Sequence, residues 1–290
     1  MPREELLTPP QVGALFRTHE FRVRSRQFVV ETNSDDLART VETRFADLAA
    51  GDAGAESGVI VYSVIKHDVA ASHPWGVWRD GEPCETTITP GYVVPYVLWE
   101  LTRLLLESTP PGVPIHAAAA TRAGKALVLA GRTHAGKSTL AAWLTHRGWG
   151  FLTDEVAVLD LERDRPWVQP FWRPVGVRHG GPLDPLVERT PGQTESLVPA
   201  SSIGTLGSQA PLAAFVMPHY SPGEAGDLTP LSPAAALTEL TRHLPTLRRC
   251  GRQFFRSLVP VVEAVPAFSL RVDDLDEAEA RLSALMDGLR

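Results

Sequence analysis

Cysteine and long apolar runs are both scarce in this sequence, and each absence excludes a class of protein. The 290 residues include two cysteines, Cys84 and Cys250, which lie far apart and form no C-x-x-C pair. Neither a zinc knuckle nor a disulfide framework is indicated, and we expect two reduced thiols. No apolar run approaches the roughly 20 residues that a membrane helix needs, and the N-terminus shows no signal-type apolar segment. We therefore expect a protein of the cytoplasm with no membrane partner.

Clustered positive charge is also lacking. The formal net charge is −6, the isoelectric point is near 5.9, and the arginines are scattered along the chain. This distribution argues against an extended nucleic-acid surface, because such surfaces concentrate Lys and Arg on one face. We expect no nucleic-acid partner, and any anion-binding site has to be local. At roughly 150 residues per domain, the length allows one large domain or two smaller ones.

The first part of the chain predicts a small α+β unit. A helix is expected from Ser34, whose hydroxyl can accept a hydrogen bond from the first turn, to Gly51. A two-residue turn at residues 80–81 predicts a hairpin. The same part of the chain contains three tryptophans: Trp75, Trp78 and Trp99. Their spacing fits core positions of strands and a helix, and we favour this interpretation over a stacking platform for bases or sugars.

A helix-breaking stretch at residues 110–112, Pro-Pro-Gly, sets the expected domain boundary. Residues 1–112 would form the N-terminal unit. Residues 113–290 would form the second domain, which ends in a helical tail. Between residues 170 and 218 the chain is rich in Pro, Gly and Ser and shows no sustained period, which predicts a mobile loop.

One lysine lies in a recognisable pattern. The sequence has three lysines: Lys66, Lys125 and Lys137. Lys137 belongs to the stretch GRTHAGKST, residues 131–139, which matches the pattern G-x-x-x-x-G-K-[S/T]. Apolar runs at 114–120 and 126–130, separated by TRAGK, predict two strands joined by a tight turn, and a helix is expected to begin close to Ser138 and to end at Gly148. Strand, glycine-rich loop and helix in this order predict a phosphate-binding P-loop.

The residue types of this stretch suit a nucleotide phosphate. Glycines let the backbone approach phosphate oxygens closely, and a helix N-terminus adds a partial positive charge. Lys137 would reach the β- and γ-phosphates of ATP, and the Ser138 hydroxyl would ligate Mg²⁺. The expected nucleotide-binding residues are Gly131, Arg132, Thr133, His134, Ala135, Gly136, Lys137, Ser138 and Thr139. The alternative is a glycine turn with an incidental lysine.

Two adjacent acids, Asp154 and Glu155, follow an apolar run, and Asp154 comes sixteen residues after Ser138. In a parallel sheet this places them near the loop, because strand C-termini line the ligand crevice. One carboxylate can hold a metal ion while the other accepts a proton from an attacking hydroxyl. An acidic turn exposed to solvent is the alternative. His116, on the preceding strand, can lie beside one carboxylate and tune its pKa, or it can be a buried histidine bonded to backbone.

Residues 115–160 resemble a known catalytic core. Their sequence, IHAAAATRAGKALVLAGRTHAGKSTLAAWLTHRGWGFLTDEVAVLD, is similar to the HPr kinase/phosphorylase superfamily, and more specifically to its HPr-kinase-related branch. That branch includes kinases of lasso-peptide and other peptide-modification clusters. A histidine followed by small residues, a hairpin, the glycine loop, a short helix and an acidic pair occur in the family's order. The resemblance implies an α/β fold, with a P-loop kinase core of the HPr-kinase type and a smaller N-terminal α+β unit.

The resemblance also implies roles for individual residues. Site roles fall to His116, Gly131, Gly136, Lys137, Ser138 and Asp154. Asp154 would be both base and metal partner. Glu155 matches the Asp-Glu form of the related branch, whereas the bacterial HPr kinases have two aspartates, which favours a substrate other than HPr. Residues 170–181, PFWRPVGVRHGG, resemble the segment that follows the core in this branch, where a lysine is usual at the place of Arg178. Arg173 and Arg178 are thus candidate phosphate contacts, with simple surface arginines as an equal alternative.

The combined prediction is an ATP- and Mg²⁺-dependent kinase that transfers the γ-phosphoryl group to a hydroxyl, first of all a serine of a peptide or protein. Two alternatives stay open: a kinase for a free amino acid or other metabolite, and a nucleotide-binding regulatory module without catalysis. The resemblance allows a homo-oligomer, because relatives often assemble through the kinase domain. It does not identify the acceptor.

Overall fold

The structure is a computed structural model that describes residues 13–49, 58–67, 74–107, 112–189, 194–244 and 247–289, with the backbone alone at 247–251. It is a mixed α/β protein with several sheets and helices. The chain divides into two compact units, Met1–Ser108 and Thr109–Arg290. In the part of the chain that the structure describes, no helix combines the length and the apolar character needed to cross a bilayer. Cys84 carries a free thiol, whereas the side chain of Cys250 lies outside the described residues.

Unit 1, Met1–Ser108, contains one sheet and two helices among its described residues. Its strands are Phe16–Arg17 (β1), Phe21–Val23 (β2), Arg26–Thr32 (β3), Ile60–Lys66 (β4), Trp75–Arg79 (β5) and Glu82–Ile88 (β6). Its helices are Asp35–Arg44 (α1) and Val93–Glu107 (α2). The strand order is β1-β3-β4-β5-β6, with β2 beside β3. Strands β3 and β4 run parallel, and α1 lies in the long connection that a parallel pair requires.

Aromatic residues form much of the core of unit 1, and one of them follows the end of α1. The Ser34 hydroxyl caps the helix by accepting a hydrogen bond from the N–H of Leu37 at 3.3 Å. The helix stops at Arg44 and does not continue to Gly51, which lies outside the described residues. Phe45 is fully buried, and its ring lies 5.8 Å from the ring of Phe21. A short 3₁₀ helix, Ala46–Leu48, follows Phe45, so helical backbone extends to Leu48 and the sequence pattern overestimates the length of the α-helix.

The predicted hairpin between β5 and β6 is confirmed, with its turn at residues 80–81. Trp75 and Trp78 are core residues as predicted, with 8% and 0% of their surface exposed. The core prediction is wrong for Trp99, which is 55% exposed on α2. Leu98 and Leu101 occupy the buried face of this helix, and the helical period therefore turns Trp99 outward.

Unit 2, Thr109–Arg290, is larger and mixes strands and helices along the chain. Its strands are Val113–Ile115 (β7), Ala117–Arg122 (β8), Lys125–Ala130 (β9), Gly150–Thr153 (β10), Ala157–Asp160 (β11), Trp167–Gln169 (β12), Val175–Arg178 (β13), Glu195–Val198 (β14), Ala210–Tyr220 (β15), Asp227–Leu231 (β16) and Ala267–Val272 (β17). Its helices are Lys137–His146 (α3), Pro233–Thr241 (α4), Leu247–Ala264 (α5) and Leu275–Gly288 (α6).

Strand direction in the large sheet of unit 2 brings two strand ends to one edge. Strand β8 runs antiparallel to both β9 and β10, so β9 and β10 run in the same direction and end at the same edge. The strand order is β10-β8-β9-β15-β12-β11-β7, and β17 runs parallel to β15. The expected parallel sheet is therefore wrong, because the sheet is mixed. The edge shared by β9 and β10 is nevertheless present.

Helices cover both faces of this sheet. Along β9, Ala126, Val128 and Ala130 pack in one cluster with residues of α4 and α5, while Leu127 and Leu129 pack in another with residues of α3 and α6. A strand buried on both faces explains why the sequence reads as an unbroken apolar run at this point. The end of β9 is thus fixed from both sides, and the loop that follows it starts from a rigid position.

The stretch 170–218, expected to be one mobile loop, contains secondary structure. Strands β13 and β14 form an antiparallel ribbon, and the last nine positions of the stretch belong to β15. Val175 and Val177 are buried in a cluster with Phe151. The Nε2 of His179 lies 2.9 Å from the Oγ of Ser196, across the ribbon. The expectation of a continuous loop is wrong because the Pro, Gly and Ser residues punctuate short strands that carry no long period.

We predict that Gly204→Ala destabilises unit 2, because the connection from β14 to β15 packs directly on α3. A Cβ at this position would lie 2.4 Å from the backbone oxygen of Thr145, an atom that cannot move aside without shifting the helix. The free energy of unfolding should fall by about 1–3 kcal/mol, measured by urea denaturation. Gly288→Ala is the control, since no described neighbour outside its own helix lies within 4 Å. Equal stability of the two variants would contradict this packing.

Candidate functional site

The candidate site lies where the pairing of two antiparallel chain segments is interrupted, between the β8–β10 pair and the β7–β11 pair. Strand β10 pairs with β8 up to Thr153, which lies opposite Ala119. The pairing resumes between β11 and β7 at Ala157, which lies opposite Ile115, so the register is the same before and after the interruption. Between them, the N–H of Ala117 donates to the backbone oxygen of Glu155 at 3.2 Å. The interruption leaves His116 between β7 and β8, and it leaves Asp154 beside Glu155 at the end of β10. Residues far apart in sequence therefore face one another here.

The glycine-rich loop joins the end of β9 to the start of α3. Gly136 precedes the helix with a φ of 90°, a left-handed conformation that favours glycine. His134 has a φ of 66°, which is uncommon for a residue with a side chain. Within the described residues, no side chain caps the N-terminus of α3. A helix start of this kind presents backbone N–H groups and the positive end of the helix dipole to an anion.

Lys137 folds back over this loop. Its side chain is largely buried, and its Nζ donates to the backbone oxygens of Gly131 at 2.8 Å and of Arg132 at 3.1 Å. Burial lowers the pKa of Lys137, while the charges of Glu155 and Asp154 oppose that effect. The ammonium group is thus held between the loop and the acidic pair. The remaining loop residues Arg132, Thr133 and His134 are exposed, and Ala135, Gly136, Ser138 and Thr139 are partly buried.

The two carboxylates have different environments although they are neighbours in sequence. Asp154 is 6% exposed, and its buried Oδ1 has no hydrogen-bond partner among the described residues. Burial raises the pKa of Asp154, and the charge of Arg173 opposes this. Burial would also raise the pKa of Glu155, but a hydrogen bond with His116 and the charge of Arg173 outweigh it, and the pKa is lowered. Such divergence within a carboxyl pair is typical of acid–base sites.

Arg173 connects the two acids. Its Nη1 lies 3.0 Å from Oε2 of Glu155, and its Nε lies 3.6 Å from Oδ1 of Asp154, which is an ion-pair distance rather than a hydrogen bond. On the other side, Nδ1 of His116 lies 3.2 Å from Oε1 of Glu155. Arg173 is only 14% exposed, so the alternative of a simple surface arginine does not describe it. The sequence-predicted residues His116, Asp154, Glu155 and Arg173 form one connected group.

Ser138 and Arg178 link this group to neighbouring elements. The Ser138 hydroxyl donates to the backbone oxygen of Asp154 at 3.3 Å, which ties the first turn of α3 to the end of β10. Arg178 is exposed at the end of β13, and its Nη2 lies 3.3 Å from Nδ1 of His134. The ribbon of β13 and β14 therefore reaches the glycine loop. Arg178 contacts the loop but not the acidic pair.

The donor set suits Mg²⁺ rather than a cation held by protein alone. No group of three or more His, Cys, Asp or Glu in the described ranges could hold a metal ion. Mg²⁺ usually takes one or two protein oxygens and completes its coordination with phosphate and water. The unpartnered Oδ1 of Asp154 and the hydroxyl of Ser138 fit that requirement.

One neighbouring residue is missing from the sequence-based prediction. His243 lies just after α4, and its backbone oxygen accepts a hydrogen bond from the N–H of His116 at 2.6 Å. The side chain is buried, and its pKa is lowered by burial and by the positive charges of Lys137 and His116. Its position depends on how α4 packs against the sheet, and no motif or spacing in the sequence indicates it.

Comparison with known proteins adds little to this description. No family model matches the sequence, and neither does any curated protein. Among solved structures, the Hpr(Ser) kinase/phosphatase from Coxiella burnetii is similar with 14% sequence identity and a TM-score of 0.34, covering 60% of this chain and 99% of that chain. A likeness at this level carries no argument about fold or activity. The family resemblance of residues 115–160 therefore stays a prediction.

We predict that Arg173→Met lowers the free energy of unfolding by about 2 kcal/mol at pH 8. The value lies below the roughly 3–5 kcal/mol of a fully buried pair because Glu155 is partly exposed. Without the arginine, the already raised pKa of Asp154 rises further in the folded state. The deficit relative to wild type therefore grows as the pH rises from the raised folded pKa of Asp154 in the wild type to its still higher folded pKa in the variant, and it stays constant above that pH.

Urea denaturation at pH 8 and pH 5 measures this dependence. Arg281→Met is the matched control, because Arg281 forms an exposed ion pair with Glu277 on α6, for which a change within about 0.5 kcal/mol is expected. A deficit in Arg173→Met that is the same at both pH values, or absent, would contradict the role of Arg173 in balancing the acids.

Proposed function

We propose that unit 2 binds ATP with Mg²⁺ and transfers the γ-phosphoryl group to a hydroxyl, a serine of a peptide or protein being the first acceptor to test. The observation that carries this proposal is the meeting of the glycine-rich loop, the buried Lys137 and the Asp154–Glu155 pair at one edge of the sheet. The loop supplies N–H donors and the lysine supplies a compact charge, and both suit phosphate. The acids supply a metal ligand and a proton acceptor, which phosphoryl transfer to a hydroxyl also needs.

Phosphate binding would use contacts that Lys137 now makes within the loop. Its Nζ donates to two uncharged backbone oxygens, and these hydrogen bonds would exchange for ion pairs with phosphate oxygens when a triphosphate arrives. Ser138 and Asp154 would hold Mg²⁺, which supplies charge neutralisation of the phosphates when bound. Arg178, already beside His134 of the loop, would reach a phosphate from the ribbon side.

Proton transfer would fall to Asp154. A buried carboxyl with a raised pKa is a better proton acceptor than an ordinary aspartate at neutral pH. Glu155 is kept ionised by His116 and Arg173, and it would hold those two side chains in place. Catalysis would otherwise come from positioning and charge neutralisation.

The central binding test compares two of the lysines. Lys137→Ala should lose most of its affinity for ATP with Mg²⁺ by calorimetric titration, while its thermal unfolding stays cooperative. Lys66→Ala, an exposed lysine of unit 1, is the control and should bind as the wild type does. Wild-type affinity in Lys137→Ala would remove the phosphate-binding assignment of the loop.

The catalytic test separates binding from transfer. Asp154→Asn should keep ATP affinity within a few-fold, because the amide preserves the shape, while transfer should fall by about 10²–10⁴-fold. Glu155→Gln should be milder, since it disturbs Arg173 and His116 rather than the reacting groups. Asp164→Asn, an exposed acid in the β11–β12 turn, is the control.

The measurement uses γ-labelled ATP in single turnover, with serine-containing peptides in one arm and free amino acids and metabolites in the other. The mass of the labelled product identifies the acceptor class. Label on small molecules alone would replace the peptide acceptor with a metabolite. ATP binding without any labelled product in either arm, or undiminished transfer by Asp154→Asn, would refute the proposed mechanism.

A further inference from the structure

His243 is a buried polar residue that the proposed mechanism leaves without a role. Its side chain is 9% exposed, and its Nε2 is buried with no hydrogen-bond partner among the described residues. Buried polar atoms in folded proteins nearly always have a partner. The unpaired Nε2 of His243 is therefore available to a ligand that reaches this position.

The position of His243 is fixed from two directions. Leu240 and Leu244 on either side of it are core residues that pack against the large sheet. Its N–H donates to the backbone oxygen of Leu240 at 3.0 Å, and its own backbone oxygen accepts the short bond from His116. The imidazole is thus placed by a rigid backbone beside the interrupted strands. Pre-organisation of this kind is what a ligand contact requires.

The charges around His243 indicate the sign of the missing ligand. Lys137 and His116 both lie close enough to disfavour its protonated form, and Arg242 acts in the same direction. The one acid that acts on it, Glu239, is paired with Arg242 at the surface. A neutral imidazole surrounded by cationic groups can offer an N–H donor without adding a further buried charge. An anion placed between Lys137 and His116 would accept a hydrogen bond from that donor and would offset the charge of Lys137.

We infer that Nε2 of His243 donates a hydrogen bond to the terminal phosphoryl group of the bound nucleotide. The inference rests on the proposed function, because it deepens the same site. Lys137 follows the loop that would hold the inner phosphates, whereas His116 adjoins Glu155 of the acidic pair. His243 is bonded to the backbone of His116 and is close enough to Lys137 to be affected by its charge, which places it at the reacting end of the triphosphate rather than at the inner phosphates. His243 would therefore distinguish ATP from ADP.

Three substitutions of His243 test whether the donor at Nε2, rather than the side chain as a whole, contacts the nucleotide. His243→Gln keeps a donor near the position of Nε2, His243→Asn keeps one near Nδ1, and His243→Leu keeps the volume without any donor. The probes are Mg²⁺ complexes of ADP and of a non-hydrolysable β,γ-imido ATP analogue, measured by calorimetry. In His243→Leu we expect affinity for the ATP analogue to fall about 10- to 100-fold, the effect of losing one charged hydrogen bond. Affinity for ADP should change less than about 2-fold.

Affinity for the ATP analogue should depend on where each variant places its hydrogen-bond donor. His243→Gln should recover most of the analogue affinity, and His243→Asn should recover little. The melting temperature of nucleotide-free His243→Leu should be equal to or higher than that of the wild type, because the substitution removes an unpaired buried polar atom. A purely structural histidine would show the reverse, with lower melting temperature and equal loss of both nucleotides.

Failure of this inference and failure of the proposed function give different results. Full analogue affinity in His243→Leu, equal weakening of both nucleotides, or no advantage of Gln over Asn would overturn the phosphoryl contact while wild-type binding still supports the proposed function. Wild-type protein that binds neither nucleotide would overturn both.

Discussion

Asp154 and Glu155 are carboxylates placed side by side at an interruption of the sheet, where burial of two like charges is unfavourable unless cations balance them. Arg173 provides that balance by direct contact, His116 adds a hydrogen bond to Glu155, and Lys137 contributes positive charge from the loop. Each cation comes from a different segment of the chain. The segment between β12 and β13, the interrupted strands and the start of α3 therefore have to assemble together before the two acids can lie side by side. This requirement links the local charge arrangement to the architecture of the whole unit.

The same arrangement explains why the two acids differ. Glu155 accepts from both His116 and Arg173, so its ionised form is favoured. Asp154 is more deeply buried and contacts Arg173 at a longer ion-pair distance, so burial outweighs the arginine charge and the pKa is raised. Positions one residue apart in sequence thus acquire opposite tendencies from packing alone. A site that contains one fixed anion and one proton acceptor is suited to general base chemistry.

Local patterns predicted the parts of this site that depend on near neighbours in sequence. The end of β9, the glycine loop and a helix starting within one residue of Ser138 follow from apolar runs and glycine positions. Tertiary packing decided the rest. The tight turn predicted that β8 and β9 pair in antiparallel directions, but no pattern in the sequence indicates that β8 lies between β9 and β10. Trp99 is exposed because the neighbours of its helix, not its own hydrophobicity, set which face is buried.

Amino-acid composition gave the least accurate prediction of secondary structure where the strands are short. In residues 170–218 the proline and glycine content indicated a loop, but buried valines in β13 and the contact of His179 with Ser196 hold a ribbon together. His243 was not predicted because its approach to His116 joins residues more than a hundred positions apart. Such contacts follow from the packed fold and leave no short-range signal.

In the proposed function, the loop after β9 and the first turn of α3 hold the nucleotide phosphates. Amide hydrogen exchange, compared with and without ADP and Mg²⁺, reports on those backbone N–H groups directly. Exchange should slow across residues 131–139 when nucleotide is added, and Lys137→Ala should lose most of this protection. Exchange that is unchanged in this segment at nucleotide concentrations that protect other parts of unit 2 would contradict it.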